Sequence, residues 1–468
     1  MTVEGHVEAG HRDTPVSKGL LSPGQTYRTV TERISSVVLT RRTPLSWMIG
    51  FVIAGFWLMV FLLAVTYLFV KGVGIYGIMI PVAWGFAITN FVWWIGIGHA
   101  GTLISAILLL FRQEWRTSIN RFAEAMTVFA VAAAAMFPIL HLGRPWYFYF
   151  IMPYPNTMGL WPQWRSPLVW DVFAIMTYGT VSLVFWFIGL IPDLATLRDR
   201  AKERILKFVF GIAAMGWRGS GRHWERYKVS YFLLAGLATP LVVSVHSIVG
   251  LDFAYSLVPG WHSTITPPFF VAGAIYSGFA MVFTIAIPLR KVFHLEGLIT
   301  MKHMDYMAKV MLATGLIVAY GYAMEAFMGW YSGSVFELAL IQHRAFGPYA
   351  FWYWMLIAIN VVIVQALWFP SVRKNTTLLF ILSIIINVGM WLERFIIIVP
   401  SLAQDFLPSA WQVFVPSVWD WLILFGSMGF FFTMMFLFVR SLPSISIFEV
   451  RELVHKSHEE SLAGAAGD

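Results

Sequence analysis

Long apolar stretches recur along the whole chain and are separated by shorter polar segments. Ten of these stretches are long enough to cross a bilayer, which takes roughly 20 apolar residues in an α-helix. Helices are expected because a spanning segment must satisfy all its backbone hydrogen bonds internally. The predicted spans are residues 46–70, 81–111, 119–142, 166–191, 229–254, 267–289, 305–330, 347–370, 376–399 and 416–439. The pattern therefore predicts an all-α polytopic membrane protein with about ten transmembrane helices.

A faint internal repeat suggests how the spans are grouped. Pro81 and Pro268 begin spans 2 and 6, and Met126 and Met311 lie early in spans 3 and 7. Parallel repeats of this kind occur in membrane proteins. We therefore predict two four-helix bundles, spans 2–5 and spans 6–9, with two flanking helices. The expected divisions are an N-terminal tail (1–45), a first span and outer loop (46–80), a first bundle (81–254), a second bundle (255–400), a last span (401–440) and a C-terminal tail (441–468).

Composition agrees with this class, and charge sets an orientation. The chain is 59% hydrophobic and 12% charged, whereas a soluble domain carries roughly 25% charged residues. Of the 32 Lys and Arg residues, 27 belong to the tails and alternate loops, and five belong to the other side. Because basic loops stay in the cytoplasm, both termini are predicted to be cytoplasmic. The net charge of +8 comes from these loops, so no nucleic-acid partner is expected.

Ionisable residues gather near the outer ends of three consecutive spans. With this topology His141 ends span 3, Asp171 lies about one turn inside span 4, and Asp252 ends span 5, with His246 somewhat deeper. Ionisable groups inside a membrane mark a functional site by default, although each alone is also compatible with contact to solvent or to a neighbour. A neutral imidazole and carboxylates suit a quinol, because the ring can accept a hydrogen bond from one hydroxyl and a carboxylate can take a proton.

Two further ionisable residues lie nearer the inner side. His99 on span 2 and Glu124 on span 3 are candidates for a proton path through the first bundle. The alternative for Glu124 is a surface ion pair with Arg121 at the start of its helix. A haem held by His99 and His246 is also conceivable, because histidine is a common axial ligand. The two histidines are expected at different depths, which disfavours a shared iron.

Two motifs carry a family resemblance. Residues 141–145 read His-Leu-Gly-Arg-Pro, and residues 93–102 read Trp-Trp-Ile-Gly-Ile-Gly-His-Ala-Gly-Thr. The first motif alone is also compatible with an interfacial anchor, since aromatic residues follow it. Together with the ten-span layout, the motifs resemble the NrfD/PsrC family of quinone-interacting membrane subunits. The match looks closest to ActC-type subunits of bacterial alternative complex III, and the acidic residues on spans 4 and 5 favour that type over the ActF type.

The resemblance implies a function and a set of site residues. It implies oxidation of a quinol, with menaquinol expected, at the periplasmic side of a bacterial inner membrane, and a proton path across the bundle. His141, Asp171 and Asp252 would be the catalytic residues, and Arg144 and His246 would join them in binding quinol. The implied partners are lipids, a homologous NrfD-like membrane subunit, and iron–sulfur and c-type haem subunits on the periplasmic face.

The absence of cysteine fits a chain that passes its electrons to such a partner, because iron–sulfur clusters need thiolate ligands. No cluster, haem or metal ion is therefore expected on this chain. The loop 143–165, rich in aromatic residues and containing Pro153, Pro155 and Pro162, is the predicted docking surface or a lipid-interface loop.

Two other functions remain open at this point. One is a membrane anchor for a polysulfide- or dimethyl sulfoxide-type molybdenum reductase. The other is a secondary transporter, which the repeat would allow, although transporter sites lie near the midplane rather than near one face. The second bundle is not expected to bind quinol, because Ala326, Gly329 and Trp352 occupy the positions that correspond to His141, Arg144 and Asp171.

Overall fold

A computed structural model describes residues 19–40, 42–151 and 163–465 of the chain. Helices account for nearly all regular structure, and no β-strand occurs in these ranges. Ten of the described helices are long and apolar enough to cross a membrane, which confirms the predicted class and number of spans.

The ten spans follow the predicted segments closely, with differences at their ends. They are α2 (Leu45–Lys71), α3 (Phe86–Leu110), α4 (Asn120–Leu140), α5 (Pro167–Arg200), α7 (Gly221–Ala254), α8 (Thr266–Val292), α9 (Met301–Tyr331), α11 (Ala350–Trp368), α12 (Thr376–Ala403) and α13 (Val418–Ser441). The other α-helices of ten or more residues are α1 (Tyr27–Leu39), α6 (Arg204–Ala213), α10 (Val335–Phe346) and α14 (Ile447–Ala465), and shorter helical turns occur in the connecting segments. Because the number of spans is even, the chain begins and ends its crossings on the same side. Helices α1 and α14 therefore lie at one end of the helix bundle, here named the basic end.

Helices α3, α8 and α12 form the interior of the molecule. About three quarters of the central segment of each is buried, 78% in all three cases, whereas the corresponding value for α2 is 17%. Helix α3 packs against α4, α7, α8 and α12, and α8 packs against α7, α9 and α12. The two halves of the chain therefore meet along α3 and α8.

Small residues bring α3 and α4 close together. A Cβ at Gly101 would collide with the backbone of Ala123 and with the side chain of Thr127. The Thr127 hydroxyl donates to the carbonyl oxygen of Gly98 at 2.6 Å. Small residues at such crossings allow backbones to approach without side chains between them. The Gly-rich part of span 2 thus serves helix packing next to the site described below.

Helices α5 and α7 extend beyond the membrane at the basic end. Each has 34 residues, which corresponds to about 51 Å at the usual rise, whereas the hydrocarbon core is roughly 30 Å thick. Helix α6 follows α5 and exposes Ile205, Phe208 and Ile212. Such an exposed apolar face beside basic residues is typical of a helix that lies on a membrane surface.

Both predicted tails contain packed helices. In α1, Val30, Ile34 and Val37 are buried, and the helix packs against α13 and α14. In α14, Glu449 is buried. These helices close the basic end of the first bundle.

Candidate functional site

A cavity of about 570 Å³ lies at the end of the first bundle opposite the basic end. Its walls come from the start of α3, the end of α4, the start of α5 and the end of α7, together with the described parts of the loop that joins α4 to α5. The polar residues of its lining are His141, Gln163, Ser166, Asp171 and Asp252. The remaining lining residues are apolar or aromatic, so the cavity is a largely apolar site with a few polar groups, which is the usual form of a small-molecule site.

His141 presents a hydrogen-bond acceptor to the cavity. Its Nδ1 lies 3.0 Å from the carbonyl oxygen of Phe137, one turn earlier in α4. Because a carbonyl only accepts, Nδ1 carries the hydrogen and Nε2 keeps its lone pair. Burial lowers the pKa of His141 below its ordinary value, which favours the neutral ring. His141 can therefore accept a hydrogen bond at Nε2.

Asp171 and Asp252 supply a pair of carboxyl groups. Asp171 lies in the second turn of α5 and is 5% exposed, and Asp252 lies half-buried in the last turn of α7. The two side chains are within hydrogen-bonding reach of each other. The Oδ1 atom of each is buried and has no hydrogen-bond partner among the described residues. Buried oxygens of this kind are costly unless a ligand, a water or a proton satisfies them.

One wall of the cavity is a braced stack of aromatic rings. Trp84 lines the cavity, and its ring centroid lies 5.8 Å from that of Trp261 at an interplanar angle of 28°. Phe253 meets Trp84 edge-on at 6.3 Å. The indole of Trp261 donates to the carbonyl oxygen of Ile397 on α12 at 2.6 Å. The second half of the chain thus holds in place a flat wall against which an aromatic ligand can pack.

Three other tryptophans of the first bundle and its outer loop lie outside the cavity lining. Trp93 is buried among the helices, and Trp146 is exposed. Trp170 donates to the carbonyl oxygen of Trp164 at 2.6 Å. Their positions fit helix packing and an interfacial aromatic belt.

Arg144 is separated from the other predicted binding residues. It is exposed and does not belong to the cavity lining. The loop 143–165 is described in part, and Pro153, Pro155 and Pro162 lie outside the described residues. The described part brings Phe148 and Phe150 into the lining. Sequence reasoning missed these two as site residues because their aromatic run resembles an ordinary membrane belt.

Gln163 and Ser166 were also missed as site residues. Both line the cavity immediately before α5 begins. The available signal was their position at the start of α5, where Ser166 directly precedes Pro167 and Gln163 lies three residues earlier. A residue at this helix start must lie at the same end of the bundle as His141.

His246 lies against His99 rather than in the cavity. The two ring centroids are 4.6 Å apart at an angle of 67°, so the expectation that these histidines differ in depth is wrong. Helix α3 begins at Phe86 instead of residue 81, which places His99 near the middle of the helix. The Nε2 atom of His99 and both ring nitrogens of His246 are buried without hydrogen-bond partners in the described part of the chain.

The geometry of this histidine pair does not fit a haem between the rings. With metal–nitrogen bonds of about 2 Å on both sides of an iron, the imidazole centroids would be roughly 6 Å apart. The observed contact between His99 and His246 is closer than this. In the described residues, no group of three or more His, Asp or Glu side chains is arranged to hold a metal ion.

Glu124 belongs to a buried charge cluster at the basic end. Its carboxylate accepts a hydrogen bond from Arg121 at 2.8 Å and one from the hydroxyl of Tyr231 at 2.9 Å. The ion pair with Arg121 expected from the sequence is therefore present, but it is buried rather than on the surface. Asp193 lies 3.6 Å from Arg121. Buried charges persist only when they are paired in this way.

A second cavity of about 670 Å³ lies next to the first, beyond α7. Its lining includes two carboxylates that are already engaged. Glu325 pairs with Arg344 at 2.6 Å, and Glu337 accepts from the backbone N–H of Gly260. The cavity is larger than the first, but its carboxylates have partners, and the only histidine in its lining, His262, lies against the carbonyl oxygen of Ser256. We therefore assign the candidate site to the first cavity.

Comparison with known proteins places these features in a family. The family described as "Polysulphide reductase, NrfD" matches residues 74–404, which include every span from α3 to α12.

Three relatives are similar over parts of the chain. The first, assigned as a membrane subunit of a dimethyl sulfoxide reductase in Halobacterium salinarum, is 28% identical over 44% of this chain and 43% of its own length. A selenate reductase subunit of Mesobacillus selenatarsenatis is 22% identical over 68% of this chain and 74% of its own length. The Hdr-like menaquinol oxidoreductase integral membrane subunit of Archaeoglobus fulgidus is 22% identical over 75% of this chain and 81% of its own length. The aligned region thus spans less than half of the halobacterial protein.

Proposed function

Because the chain belongs to the polysulphide reductase NrfD family, we propose that it is the quinol-oxidising membrane subunit of an oxidoreductase complex. The observation that carries this proposal is the 570 Å³ cavity. It combines a neutral imidazole, two facing carboxyl groups and a flat aromatic wall in an otherwise apolar chamber. A quinol is apolar and flat and has a hydroxyl group at each end of its ring, so its chemistry matches these groups.

The proposed reaction removes two protons and two electrons from each quinol. One hydroxyl donates to Nε2 of His141 and passes its proton there, and the other passes its proton to the pair formed by Asp171 and Asp252. The two electrons leave to a partner protein, because the chain has no cysteine with which to hold a cluster. Half-buried Asp252 then offers the held proton a route to water.

The finer assignment is an alternative complex III type of enzyme in a bacterial inner membrane. The split of 27 to five basic residues supports cytoplasmic termini, which would put the cavity on the periplasmic side. Iron–sulfur and c-type haem subunits would dock there, and a homologous NrfD-like subunit would lie in the membrane. Menaquinol is the proposed substrate, supported by the Archaeoglobus relative, which is described as a subunit of a menaquinol oxidoreductase.

A proton path through the first bundle is part of this proposal. His246 and His99 lie between the cavity and the basic end, and their unpartnered ring nitrogens can bind water or carry a proton. Glu124 lies beyond them at the basic end. For protons that cross the bundle, the proposed order of carriers is Asp252, His246, His99 and Glu124, whereas the quinol proton released from Asp252 leaves directly to water.

A second candidate function is the membrane anchor of a molybdenum reductase. The relatives described as subunits of dimethyl sulfoxide and selenate reductases support it. Both functions use a quinol in the membrane and differ in the enzyme that receives the electrons. Solute transport has no support from the family, and uptake by the purified chain in liposomes would be needed to revive it.

The deciding experiment is purification of the complex from its native membrane. Copurifying subunits are identified by mass spectrometry, metals are measured by elemental analysis, and menaquinol oxidation is followed with an artificial acceptor. Iron and c-type haem without molybdenum support the alternative complex III type, and molybdenum supports the reductase anchor. A chain that copurifies with no redox protein and binds no quinone would contradict both.

A further inference from the structure

An apolar cleft of about 350 Å³ opens at the basic end, which is opposite the end that contains the proposed quinol site. It lies between the first turn of α2, the last two turns of α8 and the end of α13. Ser46 and Trp47 form its α2 wall, Pro288 and Val292 belong to α8, and Phe436 belongs to α13. No histidine or carboxylate lines it, so it lacks the groups that a quinol head requires.

One side chain in the α2 wall, Trp47, carries a buried polar atom. The Nε1 atom of Trp47 is buried and makes no hydrogen bond to any described residue. Its ring is held by stacking on Phe51 at 4.9 Å and by edge contact with Phe436 at 5.8 Å. A buried indole N–H normally finds an acceptor. The ring contacts with Phe51 and Phe436 make Trp47 a fixed part of the cleft wall.

The segments around the cleft carry a strong positive charge. Residues 40–47, 284–296 and 432–442 contain five basic residues and one acidic residue, Glu296. Two of the basic side chains are used within the protein: Arg290 donates to the carbonyl oxygen of Ile299, and Arg440 donates to that of Thr40. Arg42 and Lys291 are exposed, four residues before Ser46 and one before Val292 in the lining.

We propose that this cleft binds one anionic phospholipid. An acyl chain fills the apolar cleft against the ring of Trp47, and the exposed side chains of Arg42 and Lys291 attract the phosphate group. The acyl chain accounts for the apolar lining, and the negative headgroup accounts for the excess of basic residues in the segments around the cleft. Each basic residue near an anionic lipid surface raises the affinity for that lipid about fivefold.

The test measures lipid binding to the purified chain, with any copurifying subunits, by native mass spectrometry. Phosphatidylglycerol and phosphatidylcholine with the same acyl chains are added in turn after delipidation. We expect one phosphatidylglycerol to bind roughly 30-fold more tightly than phosphatidylcholine, the size expected for two basic residues. The double variant Arg42→Gln with Lys291→Gln should lose this preference and keep weak binding of both lipids.

A matched control uses two exposed basic residues away from the cleft. Lys207→Gln with Lys374→Gln changes the net charge equally and should keep the preference. Val292→Phe fills the cleft and should weaken both lipids; if that variant does not fold, the charge variants still decide. Equal affinity for the two lipids, a preference that survives the Arg42/Lys291 change, or a quinone or a partner's helix found in the cleft would overturn the proposal.

Discussion

Asp171 and Asp252 face each other from two neighbouring helices, and each has a buried oxygen that no described residue satisfies. A facing pair of carboxyl groups can take up one proton and hold it between two oxygens. Such a pair needs no rearrangement of the backbone to change its charge. In the proposed reaction this pair accepts one of the two quinol protons, and His141 accepts the other.

Replacing Asp171 by asparagine should abolish most quinol oxidation without unfolding the protein. The amide can still form hydrogen bonds, but it cannot accept a proton, and loss of a general base typically costs about 100-fold or more. Steady-state menaquinol oxidation by the assembled complex measures the effect. Asp199→Asn, at an exposed site on the basic end of α5, is the matched control and should keep its activity.

Asp252→Asn should reduce menaquinol oxidation less than Asp171→Asn does. Asp252 is half-buried, so water can take over part of its role, whereas Asp171 is 5% exposed. Equal losses in the two variants would show that the order of proton transfer is wrong. Wild-type turnover in Asp171→Asn would remove this residue from the mechanism.

His141→Ala should remove the single tightly bound quinone of the chain. The first cavity loses its neutral acceptor, and the second cavity presents carboxylates that are already paired with Arg344 and Gly260. The measurement is a count of quinone, or of a quinone-like inhibitor, per purified chain. His262→Ala, in the lining of the second cavity, should leave the count at one; a site that survives His141→Ala would place quinol in the second half.

Trp84→Leu should weaken quinone binding more than it slows the chemistry. The variant keeps an apolar wall but loses the flat ring that Trp261 braces, and aromatic contacts of this kind contribute about 1 kcal/mol, or roughly a fivefold rise in KM. Trp170→Leu, outside the cavity lining, serves as the control. A fall in kcat with an unchanged KM would assign Trp84 a different role.

Glu124→Gln should separate proton movement from quinol oxidation. The amide cannot carry a proton, and it also weakens a buried ion pair with Arg121, which we expect to cost about 2 kcal/mol of stability. Proton translocation in proteoliposomes, quinol turnover and the thermal midpoint are measured together. The exposed residue Glu225 provides the control Glu225→Gln; unchanged turnover and unchanged translocation in Glu124→Gln would mean that protons travel elsewhere.

Both termini should be cytoplasmic. The prediction is tested with a reporter fused after residue 468 and with an accessible tag in the loop 143–165. The C-terminal reporter should be active only inside the cell, and the tag should react from outside. A loop 143–165 that reacts only from the cytoplasm would reverse the sidedness of the proposed site.

The sequence predicted the spans well because apolar length is a direct requirement of the bilayer. It also predicted that His141, Asp171 and Asp252 share one end of the bundle, because alternating helix directions fix the end on which a residue lies. These three residues do line one cavity. The depth of a residue in the membrane depends on where its helix begins and ends. The depth of His99 was wrong because α3 begins five residues later than the apolar pattern indicated.

The other features of the site depend on contacts between helices, which the lengths of the apolar stretches do not reveal. The pairing of His99 with His246 follows from the crossing of α3 and α7. The burial of Glu124 goes with its ion pair to Arg121 and with a hydrogen bond from Tyr231 on α7. Arg144 belongs to the same five-residue motif as His141, yet its side chain is exposed and does not line the cavity.

The contacts that α14 makes with the first bundle form late in the synthesis of the protein. Oδ1 of Asp193 accepts hydrogen bonds from the backbone N–H groups of Ile447 and Phe448, and Glu449 pairs with buried Arg116 at 3.0 Å. A ribosome delivers the N-terminal part first, so the first bundle inserts long before these partners exist. A chain that stops short of residue 447 retains Arg116 and Asp193 without them at an open helix end. Helix α14 therefore completes the basic end only after all ten spans have been made, and a product cut before it leaves buried Arg116 without its carboxylate partner.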